Sequence, residues 1–285
     1  MRPFELFSPT TIDEAIQNLV AAGEDGKVIA GGTALMILLK QRLFSPEFLI
    51  NVSGIQELKS IHYEEGAGIR IGSGVTHIEV ENNAIIKQRF PILVQATHHV
   101  GNIRIRNAGT IGGNICQADS QCDPPAALVA LDAKIRLRGL EERTAGVDDF
   151  ILGKYETDLR PSEILTEILI PEDMSNLRFA YERVTIGSKE NRPSVIVAVT
   201  LDIKEEKCAK FRLVIGAADN KPLRIKAAED IILGKKITEE LIAEIADLAT
   251  DAVQPMSDLR GSDAYKKEMV RVYVKRGINN AINNN

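Results

Sequence analysis

The run Val28-Ile29-Ala30-Gly31-Gly32-Thr33-Ala34 leaves the chain a narrow choice of folds. A short apolar stretch that stops at paired glycines reads as a buried strand ending in a tight turn. The apolar segment from Ala34 to Gln41 predicts a helix, and Phe48 to Val52 returns as a strand. The result is a compact β-turn-α-β unit. A helix start leaves backbone N–H groups unpaired and partly positive, and glycine lets a ligand approach them closely. A diphosphate would suit this turn, although a plain tight turn explains the same residues. With no Walker lysine and no G-x-G-x-x-G run, it is neither a triphosphate loop nor a Rossmann fingerprint.

Around this unit the pattern is α+β. Thr11 and Glu14 form a capping box for a helix with Ile12, Ala15, Ile16, Leu19 and Val20 on one face, which stops at Gly23. Ile69–Ile71 alternates as a strand, Thr76 with Glu79 opens another helix, and Pro91 opens one through Val100. The stretch from Gly101 to Asn114 is dense in glycine and reads as a loop. Asp123 before Pro124-Pro125 is expected to cap a helix through about Leu131. Ala133–Leu137 and Ile164–Ile170 read as strands, and Pro171 with the polar Glu172–Asn176 reads as a boundary and linker. Beyond it come strands Leu177–Val184, Val195–Ile203 and Lys210–Ala217, then helices Lys226–Leu233, Thr238–Ala252 and Asp263–Lys275, with a frayed tail from Asn279. This gives domains at 1–172, with parts at about 1–55 and 56–172, and at 176–285, the latter a small α+β domain with a three-stranded antiparallel sheet.

Charge and composition narrow the function. Basic residues number 35 against 40 acidic ones, a net charge of −5 spread along the chain, which argues against a nucleic-acid footprint. No apolar run approaches the roughly 20 residues of a membrane helix, and Met1-Arg2-Pro3-Phe4-Glu5 does not read as a secretory signal, so a cytoplasmic protein is expected. Cys116, Cys122 and Cys208 lack metal or redox spacing and read as buried or half-buried thiols. His77, His98 and His99 read as surface or core polar residues without a partner for acid-base chemistry, and Tyr265 and Tyr273 as one packed face of the last helix.

A second glycine turn, Asn107-Ala108-Gly109-Thr110-Ile111-Gly112-Gly113-Asn114, again offers backbone donors, with Thr110 and Asn114 adding side-chain groups. Two such turns could clamp the two phosphates of one dinucleotide, and Asp123 could accept ligand hydroxyls. Ile29 to Met36, Ile105-Arg106-Asn107, Thr110 to Asn114 and Asp123 together resemble the FAD-binding medium subunit of the molybdenum hydroxylases. That family includes carbon monoxide dehydrogenase, the nicotinate and quinoline hydroxylases and the flavin domain of xanthine dehydrogenase. The resemblance runs from about Phe4 to Arg276.

The resemblance implies a two-part FAD-binding domain of the PCMH type, followed by a carbon monoxide dehydrogenase flavoprotein-like domain. It places Ile29, Ala30, Gly31, Gly32, Thr33, Ala34, Leu35 and Met36 around the FAD diphosphate, and Thr110, Ile111, Gly112, Gly113 and Asn114 completing that cradle through backbone amides. It puts Asp123 on ribityl or ribose hydroxyls and Leu165 near the adenine or flavin, with Arg183 standing where the family has lysine. No residue of this chain is implied to be catalytic or a metal ligand. The implied assembly is a heterotrimer: a molybdopterin-bearing large subunit, a small subunit with [2Fe–2S] clusters, and this chain relaying electrons to NAD or another acceptor. The alternatives are a self-contained FAD oxidase or reductase of the same fold, as in the vanillyl-alcohol oxidase or UDP-enolpyruvylglucosamine reductase types, and a scaffold that lost its cofactor.

Overall fold

The computed structural model describes residues 2–188 and 191–284. The chain opens with β1 (Glu5–Phe7), α1 (Ile12–Ala22), β2 (Gly26–Ile29), α2 (Leu35–Lys40) and β3 (Phe48–Asn51), and the three strands form a parallel sheet in the order β1-β3-β2. Helix α1 is capped by Thr11, whose side chain accepts from the Glu14 N–H at 3.2 Å. The Glu14 carboxylate reaches back to the Thr10 N–H at 2.7 Å, one residue further than a capping box requires. Its buried Ile12, Ala15, Ile16 and Leu19 pack with Ile50, Val52, Ile55 and Leu58 into a small core, whereas Val20, expected on the same face, is exposed.

A larger antiparallel sheet follows from β4 (Ile61–Glu64), β5 (Gly68–Gly72), then β6 (Lys134–Arg138), β7 (Glu142–Gly146) and β10 (Ile164–Pro171), in the order β4-β5-β10-β6-β7. Between β5 and β6 run α3 (His77–Asn82), α4 (Ala84–Arg89), α5 (Pro91–His98), α6 (Ile103–Ala108), α7 (Ile111–Gln117) and α8 (Asp123–Ala130). After β7 come α9 (Val147–Phe150) and the short hairpin of β8 (Ile151–Gly153) and β9 (Glu156–Thr157). The expected loop over Gly101–Asn114 is two helices. Asn102 accepts from the N–H groups of Arg104 and Ile105 at 3.0 and 3.1 Å, which starts α6. Thr110 caps α7, and Gly109 supplies the turn between them. Local capping outweighs the low helix propensity of the glycines.

The segment read as a linker is ordered: Glu172–Met174 form a 3₁₀ turn, Met174 is buried, and the Asn176 N–H donates to the Arg89 carbonyl at 2.8 Å. The last sheet is antiparallel, with β11 (Arg178–Val184), β12 (Val195–Lys204), β13 (Lys207–Gly216) and the two-residue β14 (Leu223–Arg224) in that order, so it has four strands where three were expected. The fourth is too short to show as a pattern in sequence. Strand β12 is apolar throughout from Val195 to Val199 because both its faces are covered. On one side Ile196, Ala198 and Val214 join the core of the antiparallel domain, and the Thr200 hydroxyl donates to the Ala130 carbonyl of α8 at 2.9 Å. On the other, Val197, Val199, Leu213 and Ile215 meet α10 (Lys226–Ile232), α11 (Glu239–Ala252) and α12 (Asp263–Asn283).

Helix α12 continues through most of the asparagine-rich tail expected to fray. Ile278 and Ala281 are buried, Arg178 donates to the Ile282 carbonyl at 2.5 Å, and Asn280 donates to Glu182 at 2.6 Å. Tertiary contact holds what composition alone would release. Tyr273 packs against this core, as the one-face reading requires, whereas Tyr265 is 38% exposed. Among the described residues no helix is long and apolar enough to cross a membrane.

Candidate functional site

The two glycine turns meet face to face. A Cβ on Gly31 would lie 1.9 Å from the Ala108 carbonyl oxygen and 2.9 Å from Gly109 Cα, so the first turn is packed on the backbone of the second. Gly32 sits at φ +67°, flanked by Ile29 and Met36, in the left-handed region that favours glycine. Thr33 Oγ1 and the His77 ring both pack against Gly109. Ala30, Leu35 and Met36 are half-buried around this junction.

The donors are distributed unequally. Among the described residues, the backbone N–H groups of Gly31, Gly32, Thr33 and Ala34 donate to no protein acceptor. In the second turn the amides from Ile111 to Asn114 are already used, while the Thr110 N–H donates to no acceptor among the described residues. Ile111 N–H donates to Val75 O at 2.9 Å, Gly112 N–H to Ser73 O at 3.0 Å, Gly113 N–H to Thr110 Oγ1 at 3.1 Å, and Asn114 N–H to Thr110 O at 3.0 Å. The expectation that Thr110 to Asn114 offer backbone amides to a diphosphate is therefore corrected for Ile111 to Asn114, whose N–H groups build α7 and fix it to Ser73 and Val75; the Thr110 N–H alone stays open. Beside that open amide, the Asn114 side chain also remains, its Oδ1 buried without a partner. Thr110 is a cap, so Thr110→Ala should cost about 1 kcal/mol in the urea midpoint while Thr110→Ser holds near wild type; equal stabilities would remove the cap assignment.

Asp123 is the first residue of α8, and Cys122 occupies the cap position, so the expected capping carboxylate is corrected as well. Its side chain turns into the protein instead. Oδ1 accepts from the Tyr181 hydroxyl at 2.9 Å and from Arg183 Nε at 2.8 Å, both on β11. Burial raises the Asp123 carboxyl above its ordinary range, and Arg183 and Tyr181 work against that rise. Nearby, the buried Asp119 carboxylate meets Arg192 and the Tyr155 hydroxyl. Burial pushes the Cys116 and Cys122 thiols up to about 12, so both are neutral near pH 7.

Leu165 is buried in the core of the antiparallel domain, next in β10 to Thr166, whose carbonyl accepts the Ser73 N–H at 2.9 Å. His77 is buried, and Arg106, within the second glycine motif, pairs with Glu81 at 3.0 Å, tying α6 to α3. Glu81 also accepts from the exposed His98 at 2.7 Å. A cleft of about 680 Å³ lies elsewhere, between the strand ends near Lys134 and Gly146 and the Arg224 region, at the far end of α8 from Asp123; it contains none of these residues. Sequence reasoning missed Tyr181 and Ser73. The two-residue spacing of Tyr181 and Arg183 on a strand, which points both to one face, was the available signal for Tyr181.

Open amides beside a close glycine-glycine contact fit the diphosphate of a dinucleotide, and a buried carboxylate fits its hydroxyls. Comparison with known proteins identifies the family. Residues 2–173 match the FAD binding domain in molybdopterin dehydrogenase, and residues 188–281 match the carbon monoxide dehydrogenase flavoprotein C-terminal domain. The chain is 32% identical to the carbon monoxide dehydrogenase medium chain of Hydrogenophaga pseudoflava, covering 98% of this chain and 96% of that one. It is 30% identical to the glyceraldehyde dehydrogenase medium chain of Sulfolobus acidocaldarius, covering 94% and 95%. A solved Hydrogenophaga pseudoflava carbon monoxide dehydrogenase, lacking the Mo-pyranopterin moiety of its molybdenum cofactor, superposes with a TM-score of 0.94 at 33% identity, covering 99% of this chain and 98% of that one. With matches over both domains and along nearly its whole length, the chain belongs to the family of FAD-binding medium subunits of the carbon monoxide dehydrogenase and xanthine dehydrogenase type.

Proposed function

We propose that this chain holds FAD between its glycine turns and Asp123 and passes electrons from the [2Fe–2S] clusters of a small partner subunit to NAD or another acceptor. A molybdopterin-bearing large subunit would carry out the hydroxylation or dehydrogenation. The observation that carries the reading is the set of open amides from Gly31 to Ala34 set against the Ala108–Gly109 turn, within a domain of FAD-binding type. In this reading residues 1–55 and 56–172 are the two parts of the flavin domain and 176–285 the second domain.

Bound flavin would supply the exchange between a two-electron hydride equivalent and single electrons. This chain's share is binding and electrostatics. Gly31 to Ala34 would donate to the diphosphate, with Ile29, Leu35 and Met36 as the apolar border, and Thr33 and Asn114 would offer side-chain hydrogen bonds. Thr110, Ile111, Gly112 and Gly113 would hold α7 in place beneath them, with Leu165 packed under it. Asp123, kept in position from β11 by Arg183, would accept hydroxyl donors. The relatives' names, medium chains and FAD subunits of larger dehydrogenases, support the partner assignment.

Gentle purification of the tagged chain from its own host should bring down two further polypeptides, one with cluster-spaced cysteines and one large enough for a molybdenum site. A yellow chain that purifies alone and oxidises a small substrate by itself would replace the relay with the self-contained flavoenzyme.

A further inference from the structure

We infer that Tyr181 and Arg183 are positioning residues for the flavin site: from the second domain they fix the Asp123 carboxylate in one orientation and keep it charged, so that it can accept hydroxyls of FAD. The inference rests on the reading of Asp123 as a FAD-contacting group. Two residues apart on β11, the side chains leave one face of the strand and converge on a single oxygen. Tyr181 Oη donates to Asp123 Oδ1 at 2.9 Å and to the Asp123 main-chain oxygen at 3.2 Å, and Arg183 Nε donates to the same Oδ1 at 2.8 Å. Side-chain exposures of 7% for Arg183 and 6% for Asp123 place the pair well out of water. Arg183 is held in turn, its Nη2 donating to the Asn191 carbonyl at 2.6 Å, and the Tyr181 ring stacks on His99 at 6.2 Å and 17°.

Both contacts fall on Oδ1, which stops the carboxylate rotating and leaves Oδ2 outside them. An ionised carboxylate has about four acceptor sites, so this arrangement presents a fixed, unspent oxygen. Without a counter-charge a carboxyl buried this deeply takes up a proton and loses half its value as an acceptor. The same device recurs four residues earlier, where the buried Asp119 is met by Arg192 from the connection between β11 and β12. Asp119 in the α7–α8 connection and Asp123 at the start of α8 are both buried, and the second domain answers each with an arginine.

The groups facing Asp123 are Arg183 and Tyr181 from β11, the Cys122 thiol from its own turn, the Asp119–Arg192 pair, and His99 of the α5 end stacked behind Tyr181. Tyr181 and Cys122 stay neutral near pH 7 because burial raises both. Because His99 stacks on Tyr181, the titration is repeated in a His99→Gln background, which leaves the Asp123 pairing as the only difference among the variants.

The test is FAD titration into the full-length chain stripped of flavin, from about pH 5.5 to 8.5, followed by flavin fluorescence. Wild type should bind with a flat profile. Tyr181→Phe should weaken binding about tenfold, as loss of a hydrogen bond to a charged group does. Arg183→Gln should weaken it more, and progressively so as pH falls, whereas Arg183→Lys should restore the flat profile. The Arg183→Gln, Asp123→Asn double variant carries no unpaired charge to unfold it, and should match Asp123→Asn alone. If Asp123→Asn weakens FAD but Tyr181→Phe and Arg183→Gln bind as wild type at every pH, the positioning role is wrong and the site reading stands. If Asp123→Asn binds FAD as tightly as wild type, the site reading itself fails.

Discussion

Gly31→Ala should strip the chain of most of its FAD, lowering affinity by about a hundredfold or more, or roughly 3 kcal/mol. The added methyl would fall 1.9 Å from the Ala108 carbonyl oxygen, 2.7 Å from its carbon and 2.9 Å from Gly109 Cα. These are backbone atoms at the closely bonded end of α6, where Gly109 N–H donates to Ile105 O at 2.7 Å, so they cannot swing aside as a side chain would. The first turn must back away instead, carrying its open amides with it. Gly113→Ala is the control: its methyl would meet the Thr110 hydroxyl at 2.9 Å, and the position is exposed. Flavin absorbance per chain, read beside a urea midpoint, checks both. A Gly31→Ala chain with full flavin would mean that contact between the two turns does not shape the site. A bulky residue at Gly112 makes a poorer test of flavin binding, because its Cβ would lie 2.4 Å from Ser73 Cβ and would lift α7 off the sheet, so flavin loss and unfolding would arrive together.

The contrast between these glycines marks how far the sequence could be read. Elements governed by their own few residues were legible: the Thr76–Glu79 capping box is present in full, and Pro91 opens its helix. The alternation of Ile69-Arg70-Ile71 gave a strand buried on one face. Asn102 shows the limit even of local signals, since the glycines around it masked a cap that binds two amides. What remained hidden depends on partners distant in sequence. Ser73 and Val75 accept the amides of Gly112 and Ile111, and Tyr181 and Arg183, about sixty residues downstream, take the Asp123 side chain away from its capping position. A motif tells which residues gather at a site but not which of their hydrogen bonds are already made. The family resemblance implied which residues would gather round a flavin; the division between open amides at Gly31–Ala34 and occupied ones at Ile111–Asn114 came only with the fold.

His77 should make the chain acid-sensitive in a defined window. Its ring is buried under the Gly109 turn, its Nδ1 has no partner, and burial with Arg106 nearby lowers it from 6.5 to about 4. The fold therefore prefers neutral imidazole, while the unfolded chain protonates near the ordinary value. Above pH 6.5 both states carry a neutral ring and no stability is lost. As pH falls through 6.5 the unfolded state takes up the proton first, and stability declines until about pH 4, where the folded ring protonates too. The span of roughly 2.5 units is worth about 3 kcal/mol. Carboxylates also titrate below this range, so the quantity to measure is the difference between wild type and His77→Leu, from urea midpoints at half-unit steps of pH. The wild-type curve should fall away from the variant's between pH 6.5 and 4 and run parallel to it on either side. Because the ring supports Gly109, on which the Gly31 turn rests, flavin release should follow the same curve. Parallel curves throughout would mean that His77 is solvated or finds a partner, and that the glycine junction is not what makes this protein sensitive to acid.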